Sequence, residues 1–537
     1  MKKYILLPAL MMLPTAMFAQ SAVDAYNLSQ NELRGTARFM SMAGAFTALG
    51  GDLSTLNQNP AGIGVYRGND IGITFDLNMM SSKTNDFSSW DKTHFDVNNV
   101  GYVGTVNIGG DVMQSFSWGV SYGRRNSFER HYKGSGLPMS TSLSNFIAIN
   151  TDGVDASKMS FAGGLNPYSS TDISRLSILA YTSGLITPVP MLGSDDKYYD
   201  STEYDGLFEY GSNGVKPSTG TADFMISERG YVDEYSINFG GNLANTVYWG
   251  LGVGITDMNY EQSASYVETI QGANVPAKDG VGVEEGDCDY QLDSYQKIDG
   301  TGVNLKVGVI IKPVNEFRIG LAVHTPTYYS LHKSYDGAVD FGSSISSPVS
   351  EYTDLDYYDW NLRTPWRLMA GVAGVIGGRG IISADYEYQA YQDMKSSDDY
   401  GDFDIYNNDV KDYFKASHTF RLGAEYRLSP NFSVRAGYSY VSSAAKDIVK
   451  SSDITVYNES SCNPSYTLDN STNYGTFGLG YRSGGFYLDL AYVYKHTSAT
   501  YRAFGSFNEY TNYWEDAPSA SVKLNSNNVV LTLGYKF

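Results

Sequence analysis

From Ile71 onward apolar and polar side chains alternate with a period of two. Ile71, Ile73, Phe75, Leu77 and Met79 fall on one face, and Thr74, Asp76 and Asn78 on the other. Successive side chains of a strand point to opposite sides of its sheet, so this spacing predicts a strand with one apolar face. The pattern returns in Phe116, Trp118, Val120 and Tyr122, and in Val247, Trp249, Leu251, Val253 and Ile255 set against Gly250, Gly252 and Gly254. It predicts fourteen strands, at about 71–79, 95–108, 115–127, 231–242, 246–260, 298–311, 316–328, 363–376, 380–390, 415–428, 431–442, 473–482, 485–496 and 527–537.

The joins between these strands alternate in length. Gly109-Gly110-Asp111, Asn242 to Asn245, Lys312-Pro313-Val314-Asn315, Gly377-Gly378-Arg379, Ser429-Pro430-Asn431 and Ser483-Gly484-Gly485 carry tight-turn chemistry. The other seven joins are expected to be long, at about 80–93, 128–230, 261–297, 329–362, 391–414, 443–472 and 497–526. Short turns at one end, long loops at the other and an even strand count describe an all-β transmembrane antiparallel barrel. A soluble sandwich has no reason to gather its long loops at one end.

The two faces separate lipid from lumen. One is apolar over many strands. The other carries Asp76, Lys306, Arg318, Arg367, Asp385, Glu387, Arg421, Glu425, Arg435 and Asp489. These charges cannot face hydrocarbon without a large desolvation cost. Acid and base are mixed, which favours an internal ion-pair lattice over a selectivity filter of one sign.

Residues 20–68 lack such alternation and read as a small plug, or hatch, set in front of a barrel of residues 69–537. Arg34 to Leu49 is expected to form a short helix with a small-residue face, ended by Gly50-Gly51, and Asn59-Pro60-Ala61-Gly62 to form a turn. Residues 1–19 join a Lys2-Lys3 start to a short apolar core and a small residue, the pattern of a signal peptide. Val529, Leu531, Leu533, Tyr535 and Phe537 share one face of the final strand, which resembles the assembly signal of outer-membrane barrels.

Composition narrows the function. Beyond the first segment no run of 18 apolar residues occurs, which argues against a helical membrane protein. The 45 Tyr, 24 Phe and 56 Gly suit strands with aromatic girdles. A formal charge of −20 argues against nucleic-acid binding. The six histidines, His94, His131, His324, His332, His418 and His496, are scattered, and Ser417-His418 places neighbours on opposite faces, so no catalytic site or metal centre is expected. Cys288 and Cys462 both fall in expected outer loops and are expected to form a disulfide. The acids Glu284 to Asp289 offer oxygen ligands for a loop-bound calcium, although the lack of a regular ligand loop favours a solvated acidic face; no other cofactor is expected.

Gly35, Ala43-Gly44-Ala45, Gly50-Gly51-Asp52 and Asn59-Pro60-Ala61-Gly62 together resemble the hatch of the FadL/TodX family of outer-membrane transporters for hydrophobic compounds, most closely its Bacteroides-group branch. Arg421-Leu422-Gly423-Ala424-Glu425-Tyr426 before Arg435-Ala436-Gly437-Tyr438, and Thr325-Pro326 with Thr364-Pro365, resemble its later strands. The resemblance implies uptake of long-chain fatty acids or aromatic compounds, captured by extracellular loops and released laterally once the hatch moves. Asn59, Pro60, Ala61, Gly62, Gly50 and Gly51 are then the gate. The implied setting is a bacterial outer membrane. Expected partners are its lipids and lipopolysaccharide, the hydrophobic cargo and the barrel-assembly machinery, with the chain a monomer. A surface adhesion module on a barrel base is the alternative, motivated by the acidic, Tyr-rich loops.

Overall fold

The computed structural model describes residues 22–85, 88–161, 164, 166–169, 173–211, 215–399, 401–450, 462–506 and 516–537. The expected signal segment, 1–19, lies outside them. Fourteen antiparallel strands close into a barrel. They are β1 (Asp70–Thr84), β2 (Ser88–Asn107), β3 (Met113–Ser127, resumed as Arg130–Pro138), β4 (Thr219–Leu243), β5 (Val247–Pro276), β6 (Val283–Val314) and β7 (Phe317–His324, resumed as Tyr328–Ser343). There follow β8 (Asp356–Arg363, resumed as Arg367–Ile376), β9 (Gly380–Gln389), β10 (Ser417–Arg427), β11 (Phe432–Ser442), β12 (Tyr466–Ser483), β13 (Phe486–Arg502) and β14 (Ser519–Lys536). β1 pairs with β14 from Asp70 opposite Lys536 to Thr84 opposite Val522, so the sheet closes on itself. Closure satisfies the backbone without water, as a wall in hydrocarbon requires. No helix among the described residues is long and apolar enough to cross a membrane.

Side chains on the outer face form an apolar band. Leu251, Val253 and Ile255 of β5, and Val303, Leu305 and Val307 of β6, are exposed. Aromatic rings rim the short-turn end, where Phe432 meets Tyr481 and Tyr535 meets Phe537.

The strand count matches the sequence pattern, but several long connections do not. Residues 80–93, 261–297 and 329–362 are largely strand. Sequence alternation fades there because the apolar face changes sides. Within the band, β5 turns odd-numbered apolar residues outward; beyond it, even-numbered Met258, Tyr260, Tyr266 and Ile270 are buried inside. β6 behaves alike, with Ile298, Leu292 and Tyr290 turned inward. No register shift separates the two regimes between Val247 and Ile270. The solvent changes instead, from lipid around the band to water beyond it, so the greasy side moves from outside to inside. From Ile255 to Pro276 the strand extends on the order of 70 Å past the band.

This extension corrects two further expectations. The acids Glu284 to Asp289 lie on β6 with alternating side chains rather than in a loop. Cys288 and Cys462 are both buried and not bridged. Cys288 pairs with Ser343, whereas Cys462 packs where a side chain on Gly337 would lie. Those two positions are six residues apart on β7, about 20 Å of strand, far beyond disulfide reach.

The lumen is filled in three layers. At the long-loop end, segment 128–230 is no bare loop. Its helices α4 (Leu143–Thr151) and α5 (Arg175–Ser183) pack Leu143, Phe146 and Leu179 against the strand extensions, where Phe224 stacks on Tyr501 at 3.7 Å. The middle layer surrounds α1 (Ala22–Leu28), whose Tyr26 stacks on Phe414 at 4.8 Å. The hatch fills the short-turn end. Its expected helix is cut to α2 (Ala37–Ser41), because Thr36 caps it at Phe39 N and Ala43 and Gly44 enter positive φ directly after; the short α3 (Thr55–Gln58) follows.

The hatch lies against a floor of wall glycines. A Cβ on Gly250 would collide with the Pro60 carbonyl, on Gly308 with the Asn59 amide, on Gly320 with the Thr47 carbonyl, and on Gly437 with the Met42–Ala43 peptide. Gly240–Gly250 and Gly250–Gly308 are direct cross-strand pairs. Substitution Gly250→Val is therefore expected to displace the hatch, at a cost of about 1–3 kcal/mol as overpacking. The readout is a lower heat-modification temperature on gels together with greater leakage of small hydrophilic solutes through proteoliposomes. Unaltered melting and leakage would refute the docking.

In the outer layer the fully buried Glu268 carboxylate accepts hydrogen bonds from Leu143 N (3.0 Å), Ser142 Oγ and Tyr266 Oη (2.7 Å), tying β5 to the start of α4. Burial pushes its carboxyl up from the usual range, and those hydrogen bonds oppose the rise only in part. The folded layer thus keeps a proton that the unfolded chain releases near pH ~4.3. Its stability falls as pH rises from there through the raised value. Hydrogen exchange at α4 should quicken over that window, and Glu268→Gln should flatten the dependence. An identical slope in the variant would contradict the assignment.

Candidate functional site

Asn59 fixes the lower part of the hatch. It is fully buried, donates from Nδ2 to the Thr47 carbonyl (2.6 Å) and accepts at Oδ1 from Ala61 N (3.1 Å). Pro60 then opens a 3-10 helix, Pro60–Val65, for which its fixed φ is suited. Gly50 and Gly51 both adopt left-handed φ, +66° and +69°, and Gly51 N donates to Gly62 O (3.1 Å). The structure thus brings the six expected gate residues into one knot. Asp52 is a further organiser: it accepts from Thr36 Oγ1 (2.7 Å) and Ser54 N (3.0 Å), linking both halves of the hatch.

The ten expected lumen charges all turn inward. Asp76 pairs with Arg34 at 2.9 Å. Arg367 and Arg421 share Glu387 at 2.7 and 2.6 Å. Glu425 bridges Arg38 and Arg435, and Arg435 continues to Asp489 at 2.6 Å. Lys306 binds Glu234, Arg318 donates to the Leu49 carbonyl (2.6 Å), and Asp385 accepts from Thr47 N (2.7 Å). Four of these charges, Asp76, Arg318, Asp385 and Glu425, therefore hold the hatch directly. The sequence reading missed the hatch members Glu32, Arg34 and Arg38, since a segment without alternation assigns no face. It also passed over Glu234, although its position beside Ser236 and Asn238, opposite Tyr235 and Ile237, marked it as inward.

The wall has a seam. β2 and β3 pair only from Asn107 opposite Ser115 up to Asn99 opposite Gly123. Beyond that point β3 bulges between Arg124 and Asn126, breaks at Phe128 and Glu129, and resumes paired to β4 alone. Side chains close the gap. Lys92 Nζ lies 2.9 Å from Glu129 and 2.8 Å from His131 Nε2, while Trp90 covers the His131 ring at 5.2 Å. Behind the seam lies a cavity of about 60 Å³. Leu33, Met40, Tyr260 and Val493 line it on one side, and the Glu32–Lys495 and Arg130–Asp469 ion pairs on another. A lining of this kind suits a small molecule with an apolar body and a polar edge.

No family model and no curated protein matches the chain. Among solved structures, the crystal structure of a Pseudomonas aeruginosa FadL homologue superposes with a TM-score of 0.50 at 11% identity, covering 94% of this chain and 99% of that one. The Pseudomonas putida toluene transporter TodX gives a TM-score of 0.47 at 12% identity over 94% and 99% of the two chains. The Ralstonia pickettii toluene transporter TbuX gives 0.43 at 13% identity over 94% and 99%. With a closed fourteen-stranded wall around an N-terminal helical hatch, the chain has the FadL-like barrel fold.

Proposed function

We propose that the protein is an outer-membrane channel that admits small, predominantly hydrophobic molecules and releases them sideways into the membrane through the β2–β3 seam. One observation carries the reading: a cavity with an apolar side meets the wall where two neighbouring strands stop pairing. Elsewhere a molecule leaving the lumen must break a continuous ladder; at the seam the Lys92, Glu129, His131 and Trp90 side chains and the Asp96–Arg124 ion pair stand in its way. The cavity's lining, part apolar and part charged, extends the proposal to aromatic molecules bearing a polar substituent. The hatch, held by ion pairs and by Asn59, closes the short-turn end against unselective leakage.

The reading predicts two separable effects in proteoliposomes. The intact protein should speed entry of a fluorescent hydrophobic probe such as N-phenylnaphthylamine, and the Lys92→Ala/Glu129→Ala variant should speed it several-fold further without admitting sucrose. Deleting residues 22–68 should instead admit sucrose. A parent protein that gives no acceleration over protein-free vesicles would sink the transport reading, and a seam variant indistinguishable from the parent would sink the exit route.

A further inference from the structure

Charge in the lumen is not spread evenly around the hatch. On the β4, β6, β8, β9 and β10 side stand four cations, Lys306, Arg125, Arg367 and Arg421, with three carboxylates, Glu234, Glu387 and Asp385. Arg125 belongs to β3 but reaches Glu234 at 3.7 Å and the Asn57 carbonyl at 3.1 Å. That bank carries one positive charge in excess. Across the hatch segment 31–34, Arg34, Arg124 and Lys495 face Glu32, Asp76, Asp96 and Asp233, one negative charge in excess.

The positive excess coincides with unmet hydrogen-bonding capacity. Arg367 directs Nε and Nη2 to one oxygen of Glu387, each at 2.7 Å, and Arg421 directs Nη2 to the other at 2.6 Å. Both Glu387 oxygens are then engaged. The Nη1 atoms of Arg367 and Arg421 are buried and have no hydrogen-bond partner among the described residues. Both guanidiniums line one cavity, together with Arg34, Arg124 and Arg125. The carboxylate on that lining, Glu32, is engaged by Arg34 and Lys495. Asp385, the neighbour of Arg421 across the β9–β10 ladder, is held at Oδ2 by Thr47 N of the hatch, and its Oδ1 meets neither guanidinium. Leaving two guanidinium N–H groups without acceptors is costly, and an anion between them would supply acceptors and cancel the local excess. Guanidinium pairs suit planar oxyanions especially well.

We propose that the cavity beside hatch residues 31–35, bounded by β2 and β3 on one side and by Arg367 and Arg421 on the other, binds one monovalent anion, held by Nη1 of Arg367 and Nη1 of Arg421. A free small anion and the carboxylate head of a longer molecule share this chemistry. Its lining shares Glu32, Leu33 and Arg34 with the seam cavity, and binding to it does not depend on transport.

The test uses the full mature chain in a non-ionic detergent and a zwitterionic buffer, titrated calorimetrically with sodium bromide, sodium acetate and sodium octanoate. Saturable binding of one equivalent is expected. Arg421→Gln should weaken it by about tenfold or more, the worth of one charge-assisted hydrogen bond. Glu387→Gln should tighten it, because the same guanidiniums lose their competing carboxylate. These opposite shifts are the signature of an anion site, since general damage to the lumen would weaken binding in both variants; Glu387→Gln keeps the test open should Arg421→Gln fail to fold. Equal affinity for acetate and octanoate would identify a free-anion site, and much tighter octanoate binding a site for a chain-bearing carboxylate, each in support. Absence of saturable binding, or equal affinity in parent and both variants, would overturn the proposal.

Discussion

The structure depends on one close approach: hatch backbone lying directly on barrel backbone. Thr47, Asn59 and Pro60 occupy space that any Cβ at Gly320, Gly308 or Gly250 would fill. At this distance dispersion forces act between two main chains, and the polar groups of the hatch come within reach of charges on the wall. Arg318 can therefore meet the Leu49 carbonyl, and Asp385 can meet Thr47 N. Substituted glycines would push the hatch toward the axis, stretch these bonds and leave several buried charges unmatched, a larger penalty than the steric clash alone.

A second organising feature is the change of apolar face along β4, β5 and β6. On β4, Tyr235, Ile237 and Phe239 are exposed, while Val232, Ile226 and Phe224 further along are buried. One continuous strand serves two solvents. Around the band the lumen is polar and the outside apolar; beyond it the lumen is apolar and the outside polar. The barrel can consequently stay closed well past the membrane, with a protein-like core replacing the ion lattice as its filling.

This feature also explains how far the sequence could be read. Within the band the period-two pattern is strong, and the fourteen strands, their tight turns and the inward charges from Asp76 to Asp489 were legible. The turns of the hatch were legible from Asn59-Pro60-Ala61-Gly62 and Gly50-Gly51 because turn chemistry is local. The extensions were not, since a pattern that keeps its period but changes phase looks, in any fixed window, like loss of pattern. Glu284 to Asp289 then reads as an acidic loop, and Cys288 as a loop cysteine free to meet Cys462. The seam was equally hidden. Nothing in Gly123 to His131 announces that a neighbour stops pairing, because pairing is a property of two segments distant in sequence.

The closure between β1 and β14 has a consequence for assembly. Thr532 on β14 accepts a hydrogen bond from Ala37 N of the hatch (2.7 Å) and shares another with Thr74 Oγ1 of β1 (2.8 Å). Asn528, two turns of the pleat away, donates to Asp76, which also holds Arg34. Joining the first strand to the last and seating the hatch therefore use the same atoms. Because those atoms are more than 400 positions apart along the chain, the entropic cost of bringing them together is met late in folding. A hatch already in place presents a template that the incoming strand must match, so the final step of folding also inspects the register of every strand laid down before it.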